Sequence, residues 1–68
     1  MWASKLTLER MKRGITQKAA AAEMGLNNNI LNRIERRALV ATPRYQKAIL
    51  SFMGGRAQDY FEPSGIAK

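Results

Sequence analysis

Residues 16–37 read TQKAAAAEMGLNNNILNRIERR, and this stretch decides the fold. Four consecutive alanines, the best helix formers, precede Gly25, and a second helical segment follows it. In that segment Ile30, Leu31 and Ile34 gather on one side at about 100° per residue, which predicts a face buried in a core. The stretch therefore predicts two short helices joined by a tight turn at Gly25.

The other side of the second predicted helix, residues 27–36, is polar and contains no acid. Its members are Asn28, Asn29, Asn32, Arg33 and Arg36. Asparagine can pair bidentately with adenine, and arginine with guanine. The asparagine run 27–29 can also be read as a loop that only caps the helix, but the polar stripe continues for two further turns. We interpret residues 27–36 as the recognition helix of a helix-turn-helix, capped by Asn27.

The composition favours a polyanion as the partner. The chain has 68 residues, one domain at most, and a net charge of +7. Residues 1–56 hold eleven of the twelve basic residues and three of the five acids. A body this basic is typical of a nucleic-acid-binding protein, with an anionic membrane surface as the competing partner.

The same composition argues against catalysis. The chain contains no cysteine and no histidine, and its carboxylates are not clustered. The usual acid–base and nucleophile pairs are therefore missing. We expect no enzyme activity, cofactor, metal site or small-molecule ligand. No targeting signal is apparent, so a cytoplasmic, nucleoid-associated location is expected.

Three further helical segments surround the central stretch. Residues 5–13 follow the potential cap Ser4 and end at Gly14, with Leu6 facing the core and Met11 near the same side. After a loop, Thr42 and Pro43 signal a longer helix that ends at Gly54 and Gly55. Its predicted core stripe is Tyr45, Ile49, Phe52 and Met53. Residues 56–61 form one more turn in this prediction, packing Tyr60 and Phe61 onto the body.

The sequence thus predicts an all-α fold of four to five helices in a single domain, residues 1–68, with no strand and no repeat. The helical body covers residues 4–61. Residues 62–68, EPSGIAK, are polar with a proline and a glycine, and are predicted to fray. Trp2 is expected either to cover the core or to belong to a disordered end.

A spaced pattern runs through most of the chain. It reads Leu6-x3-Arg10-x3-Gly14-Ile15-Thr16-Gln17-x7-Met24-Gly25-Leu26-x4-Leu31-x2-Ile34-Glu35-Arg36, followed by Pro43. This pattern resembles the XRE family of helix-turn-helix proteins, which includes the lambdoid phage repressors, the Cro proteins and many antitoxins. The ending, residues 59–67, is also similar to the close of that domain, so the likeness covers residues 6–67.

The resemblance implies a lambda-repressor-like domain that binds operator double-stranded DNA, usually as a homodimer on a pseudo-palindrome. It implies base contacts from Asn28, Asn29, Asn32 and Arg33. The phosphate contacts expected with it are Gln17, Lys18, Asn27, Arg36, Arg37, Arg44 and Lys47. It further implies a buried structural ion pair between Arg10 and Glu35. The arginines can also be interpreted as a solvated rim, and the aromatic residues as platforms for single-stranded nucleic acid. Neither interpretation explains the polar stripe of residues 27–36 as well as contacts to double-stranded DNA do.

The sequence departs from the family pattern in three places. Arg37 stands where a glycine usually follows the Glu-Arg pair, so the loop is expected to enter differently. Ala20 replaces a large aliphatic residue, which predicts a thin core. No sensor domain, protease site or metabolite pocket follows, so the chain is expected to be the DNA-binding module alone.

Two functions fit these observations, and a third does not. The first is a Cro- or repressor-like transcription regulator that occludes a promoter. The second is an antitoxin-type module that binds a protein partner and regulates its own gene through DNA. A membrane-active cationic peptide is disfavoured, because short helices interrupted by glycines do not form one long amphipathic helix.

Overall fold

Five helices make up most of the described chain, residues 3–68, in a computed structural model. They are α1 (Lys5–Lys12), α2 (Gln17–Met24), α3 (Asn28–Glu35), α4 (Pro43–Met53) and α5 (Ala57–Tyr60). Residues 3–68 contain no strand, so the predicted all-α fold class is confirmed. None of these helices is long and apolar enough to cross a bilayer. The prediction for Trp2 lies outside the described residues.

The first four helices begin where the sequence places a capping side chain. A hydroxyl or amide oxygen at each position accepts a hydrogen bond from a backbone N–H in the first turn, which stabilises a helix by about 1 kcal/mol. The four bonds are Thr7 N to Ser4 at 3.1 Å, Ala19 N to Thr16 at 3.1 Å, Asn29 N to Asn27 at 2.7 Å and Tyr45 N to Thr42 at 3.4 Å. The predicted starts agree with the structure because each cap is a local interaction.

The core takes side chains from every part of the chain. Its buried members are Leu6, Ala20, Ala21, Met24, Leu31, Ile34, Ala41, Ile49, Met53, Phe61 and Ala67. α2 packs against both α3 and α4, and α4 packs against α5. Ala20 and Ala21 of α2 are fully buried, and their small side chains allow the short helices to approach closely.

Met11 is not near the core side, contrary to prediction. It is 62% exposed, and Leu8 on the same helix is 55% exposed. Met11 lies five positions after the buried Leu6, which corresponds to about 140° around a helix. α1 therefore presents two apolar side chains outward.

Arg37 occupies the backbone conformation that favours glycine. Its φ is +62°, in the left-handed region, and it is the only residue other than glycine with positive φ in the described chain. Such a conformation costs a non-glycine residue roughly 1–2 kcal/mol. The loop after α3 therefore makes a left-handed turn despite the missing glycine.

The tail is ordered, which corrects the prediction that residues 62–68 fray. Phe61 and Ala67 form an isolated antiparallel bridge, and the Ala67 side chain is fully buried. Lys68 accepts a hydrogen bond from the Lys5 N–H at 2.7 Å and donates its own N–H to Tyr60 O at 2.8 Å. The last residues thus fold back over α5 and meet the start of α1.

Gly65 is the residue that permits this return. It is buried, has a φ of +93°, and its carbonyl accepts the Ala41 N–H at 2.9 Å. A Cβ at this position would lie 2.8 Å from both Ala41 O and Val40 Cγ1. Only glycine fits, because any side chain would push the tail away from the loop before α4.

We expect Gly65→Ala to destabilise the protein more than Gly14→Ala. Both glycines have positive φ, but a Cβ at Gly14 meets no atom within 4 Å. Gly14→Ala should cost about 1 kcal/mol from backbone strain alone. Gly65→Ala should cost about 1–3 kcal/mol more from the steric overlap. Urea denaturation measures both, and equal losses would mean that the tail does not depend on this contact.

Candidate nucleic-acid interface

α3 has one apolar and one polar face, as the sequence predicts. Leu31 and Ile34 are fully buried on the inner side. Asn28, Asn29 and Arg33 are exposed on the outer side. Asn32, the remaining predicted base-contacting residue, is only half-buried because it lies against α2. The outer face therefore offers amides and a guanidinium group without a carboxylate beside them.

Exposed cations occur on α3 and near the starts of α2 and α4. Those that make no ion pair within residues 3–68 are Lys18 at the start of α2, Arg33 and Arg36 on and after α3, and Arg44 and Lys47 in α4. By contrast, Arg13 on α1 is neutralised by Glu9, with Nε–Oε2 at 3.0 Å. The single acid of α3, Glu35, points inward and is 3% exposed. The surface around α3 is thus positively charged.

The clefts beside α3 show how its neighbours are placed. Asn27, Ile30 and Arg44 line one cleft, which brings the start of α4 next to the start of α3. Gln17, Asn32 and Arg36 line another cleft, which places the start of α2 next to the later turns of α3. Arg44 therefore lies beside the start of α3, and Arg36 lies beside its later turns. The start of a helix also carries backbone N–H groups that favour anions.

Arg10 and Glu35 form the ion pair that the family resemblance implies. Arg10 Nε donates to Glu35 Oε2 at 2.8 Å and Nη2 donates to Oε1 at 3.1 Å, a bidentate arrangement. Arg10 Nη1 donates to the Ile15 carbonyl at 2.8 Å. The pair thus ties α1 to α3 and to the turn before α2.

Three further polar side chains join this ion pair. Thr7 Oγ1 donates to Glu35 Oε1 at 3.1 Å, and Gln17 Nε2 donates to the same oxygen at 3.3 Å. Asn32 Nδ2 donates to Gln17 Oε1 at 3.2 Å. Gln17, predicted as a phosphate contact, therefore has its side chain engaged inside the protein. No buried side-chain nitrogen or oxygen in the described residues lacks a partner.

Sequence reasoning missed Thr7 and the bond between Gln17 and Asn32. A signal for Thr7 was present, because it lies three residues before Arg10 and so one turn away on the same face of α1. The contact between Gln17 and Asn32 joins different helices across fifteen positions, and no periodicity indicates it.

Besides Gln17, two further predicted phosphate contacts have other partners in the structure. Arg37 Nη2 donates to Glu62 Oε2 at 2.8 Å, so this arginine reaches the tail. Asn27 uses its Oδ1 to cap α3, which leaves its Nδ2 for a ligand. The pair between Arg37 and Glu62 is half-exposed and therefore weak.

Comparison of the chain with protein-family models, with curated proteins and with solved structures found no match. Function must therefore be inferred from the residues and their arrangement. The arrangement consists of an acid-free polar helix face with the exposed Arg36 and Arg44 beside it and a buried ion pair behind it.

We expect Glu35→Gln to lower the free energy of unfolding by about 3 kcal/mol, because it leaves the Arg10 charge buried without its partner. The matched control is Glu9→Gln, which breaks the more exposed pair with Arg13. That control should cost less than about 1 kcal/mol. Urea denaturation compares the two variants. A small loss for Glu35→Gln would show that the buried pair contributes no more than a surface pair.

Proposed function

We propose that the protein is a sequence-specific double-stranded DNA-binding regulator of the XRE helix-turn-helix type. In this proposal α2, the turn at Gly25 and α3 form the helix-turn-helix, and α3 enters the major groove. The observation that carries the proposal is the outer face of α3. It combines base-matching side chains with an absence of acid, and the exposed Arg44 of α4 lies beside the start of the helix.

The side chains of α3 divide into two groups by exposure. Asn28, Asn29 and Arg33 are exposed and reach outward to base edges. Asn32 lies deeper, between α3 and the start of α2. Asparagine and arginine pair bidentately with adenine and guanine in the major groove, each good pair giving about 1–3 kcal/mol of discrimination.

The flanking cations supply the attraction that does not depend on sequence. Lys18 lies at the start of α2, Arg36 at the end of α3, and Arg44 and Lys47 in the first turns of α4. Contacts from such groups to phosphates fix the register of the protein on DNA. Each neutralised phosphate also releases counterions, so binding weakens as salt increases.

One copy of α3 reads too little DNA to specify a site. Its eight residues span about 12 Å, close to the length of three or four base pairs. A homodimer would read two half-sites about 34 Å apart on one side of the duplex. Bound over a promoter, such a dimer would block polymerase, which places the protein with cytoplasmic, nucleoid-associated DNA.

The first test is selection of bound duplexes from a randomised pool at about 150 mM salt, where backbone attraction is reduced. We expect an inverted repeat with half-sites about one helical turn apart. An enriched sequence without symmetry would contradict the homodimer. Recovery of no sequence at all would contradict specific DNA recognition.

Variants of base-contacting residues and variants of phosphate-contacting residues should then differ in how they affect binding to the selected site. Asn29→Ala and Arg33→Ala should each weaken specific binding by about 1–3 kcal/mol and leave binding to unrelated DNA nearly unchanged. Lys47→Ala should weaken both kinds of binding and lower the salt slope by about 1.

Arg56→Ala is the charge-matched control for these variants. Arg56 lies beyond the far end of α4 from Lys47 and is exposed. We expect its removal to leave the salt slope unchanged. A decrease equal to that of Lys47→Ala would mean that net charge, and not the surface around α3, determines binding.

A second candidate, an antitoxin-type protein-binding module, is favoured by the outer face of α1. Leu8 and Met11 are exposed one turn apart, next to the exposed Lys5 and Lys12. An apolar partner surface bordered by acids would fit them. This face differs from the surface around α3, so the two functions are separable. Leu8→Ser with Met11→Ser should abolish partner binding and leave DNA binding intact.

A further inference from the structure

A line of hydrogen bonds connects the buried ion pair to the outer face of α3. It runs from Arg10 to Glu35, from Glu35 to Gln17 and from Gln17 to Asn32. Exposure increases from Glu35 outward, since Glu35 is buried while Gln17 and Asn32 are half-buried. Asn32 is therefore the point at which an internal network reaches the surface proposed to meet DNA.

The carboxylate sets the direction of every bond in this line. Glu35 is held bidentately by Arg10, and an ionised carboxylate can only accept hydrogen bonds. Gln17 must therefore turn its Nε2 towards Glu35, which leaves its Oε1 facing Asn32. Asn32 must in turn present its Nδ2 to Gln17. The orientation of both amides follows from the charge of one buried group.

The other groups around Glu35 keep its carboxylate an acceptor of hydrogen bonds. Thr7 Oγ1 also donates to Glu35, and its own acceptor position is filled by the hydroxyl of the buried Ser4 at 2.9 Å. Arg10 is fixed from its other end by the Ile15 carbonyl. All groups around Glu35 are thus donors, and none of them can reverse the direction of the bonds.

With its Nδ2 held by Gln17, Asn32 has a free acceptor. Its Oδ1 receives no hydrogen bond within residues 3–68. An asparagine that rotates freely offers either an acceptor or a donor at a given point, and so tolerates several bases. An asparagine held in one orientation presents Oδ1 at a fixed point and discriminates against bases that present only an acceptor there.

We infer that Gln17 is a positioning residue for base recognition, in addition to any phosphate contact of its own. Resting on the proposed function, this inference assigns Asn32 to adenine, with Oδ1 accepting from N6 and the second hydrogen of Nδ2 donating to N7. A G·C pair offers no such combination on one base, because guanine presents two acceptors and cytosine one donor. The buried charge of Glu35 thus contributes to the choice of base.

The test compares four proteins in the same selection from randomised duplexes: the wild type, Asn32→Ala, Gln17→Ala and Lys18→Ala. Asn32→Ala identifies the base pair that Asn32 reads. We expect the wild type to prefer an A·T pair there, and Gln17→Ala to lower that preference roughly tenfold while other positions keep theirs. Lys18→Ala, at the adjacent exposed position, should weaken all duplexes equally and keep every preference.

A double variant separates positioning from direct contact. If Gln17 acts through Asn32, then Gln17→Ala should not change the base preference further in a protein that already carries Asn32→Ala. Gln17→Met, which keeps the length of the side chain but cannot form these hydrogen bonds, repeats the test if Gln17→Ala does not fold.

The free protein gives a second measurement that needs no DNA. In a nitrogen-15 spectrum, the side-chain amide of Asn32 should exchange slowly with solvent, and Gln17→Ala should shift its signals and accelerate the exchange. Lys18→Ala should leave them unchanged. This measurement remains valid if the protein proves not to bind DNA.

The outcomes are distinct. Uniform weakening by Gln17→Ala with all base preferences intact would overturn the inference and leave Gln17 as a phosphate contact only. A wild-type preference for a G·C pair at the Asn32 position would also overturn it. Failure of the wild type to select any sequence would refute the proposed function, and an unchanged Asn32 amide in Gln17→Ala would independently refute the positioning role.

Discussion

The ion pair between Arg10 and Glu35 is the interaction on which the arrangement of the first three helices depends. Placing two charges in the interior of a small domain is costly, and the cost is offset only when every polar atom finds a partner. Here the carboxylate accepts from Arg10, Thr7 and Gln17, and the guanidinium also reaches the Ile15 carbonyl. Because these partners come from α1, from α2 and from the turn between them, the pair fixes where α3 lies relative to both.

The same pair also determines the electrostatics of α3. Glu35 is the only acid in that helix, and an exposed acid beside Arg33 and Arg36 would reduce the attraction of the surface for phosphates. Turning Glu35 inward leaves the outer face without an opposing charge. Glu35 therefore affects both stability and the proposed function, because its charge is paired in the interior and so does not oppose the positive charge of the surface.

The sequence predicted the features that depend on neighbouring residues. The caps Ser4, Thr16, Asn27 and Thr42 act on their own first turns, and the buried sides of α2 and α3 follow from helical spacing. The tail was not predictable in this way, because its order comes from contacts with α1 and with the loop before α4, more than twenty positions away. Its polar composition indicated fraying, whereas a single buried glycine allows it to fold back. The bond between Gln17 and Asn32 likewise arises only after two helices have packed.

The predicted base-contacting residues of α3 show the same difference, because Asn32 is held by a residue of another helix. Asn28, Asn29 and Arg33 are exposed, and in the proposed complex each would lose rotamer freedom on contact with a base, which costs about 0.5–1.5 kcal/mol per side chain. Asn32 has already lost part of that freedom in the folded protein, because Gln17 holds its amide. Preorganisation of this kind increases discrimination at one position, while the exposed side chains can adapt to neighbouring bases. Such a helix would recognise a half-site in which one base pair is strongly preferred and the neighbouring base pairs are less so. In this proposal the strong preference depends on the buried charge of Glu35, which does not contact DNA.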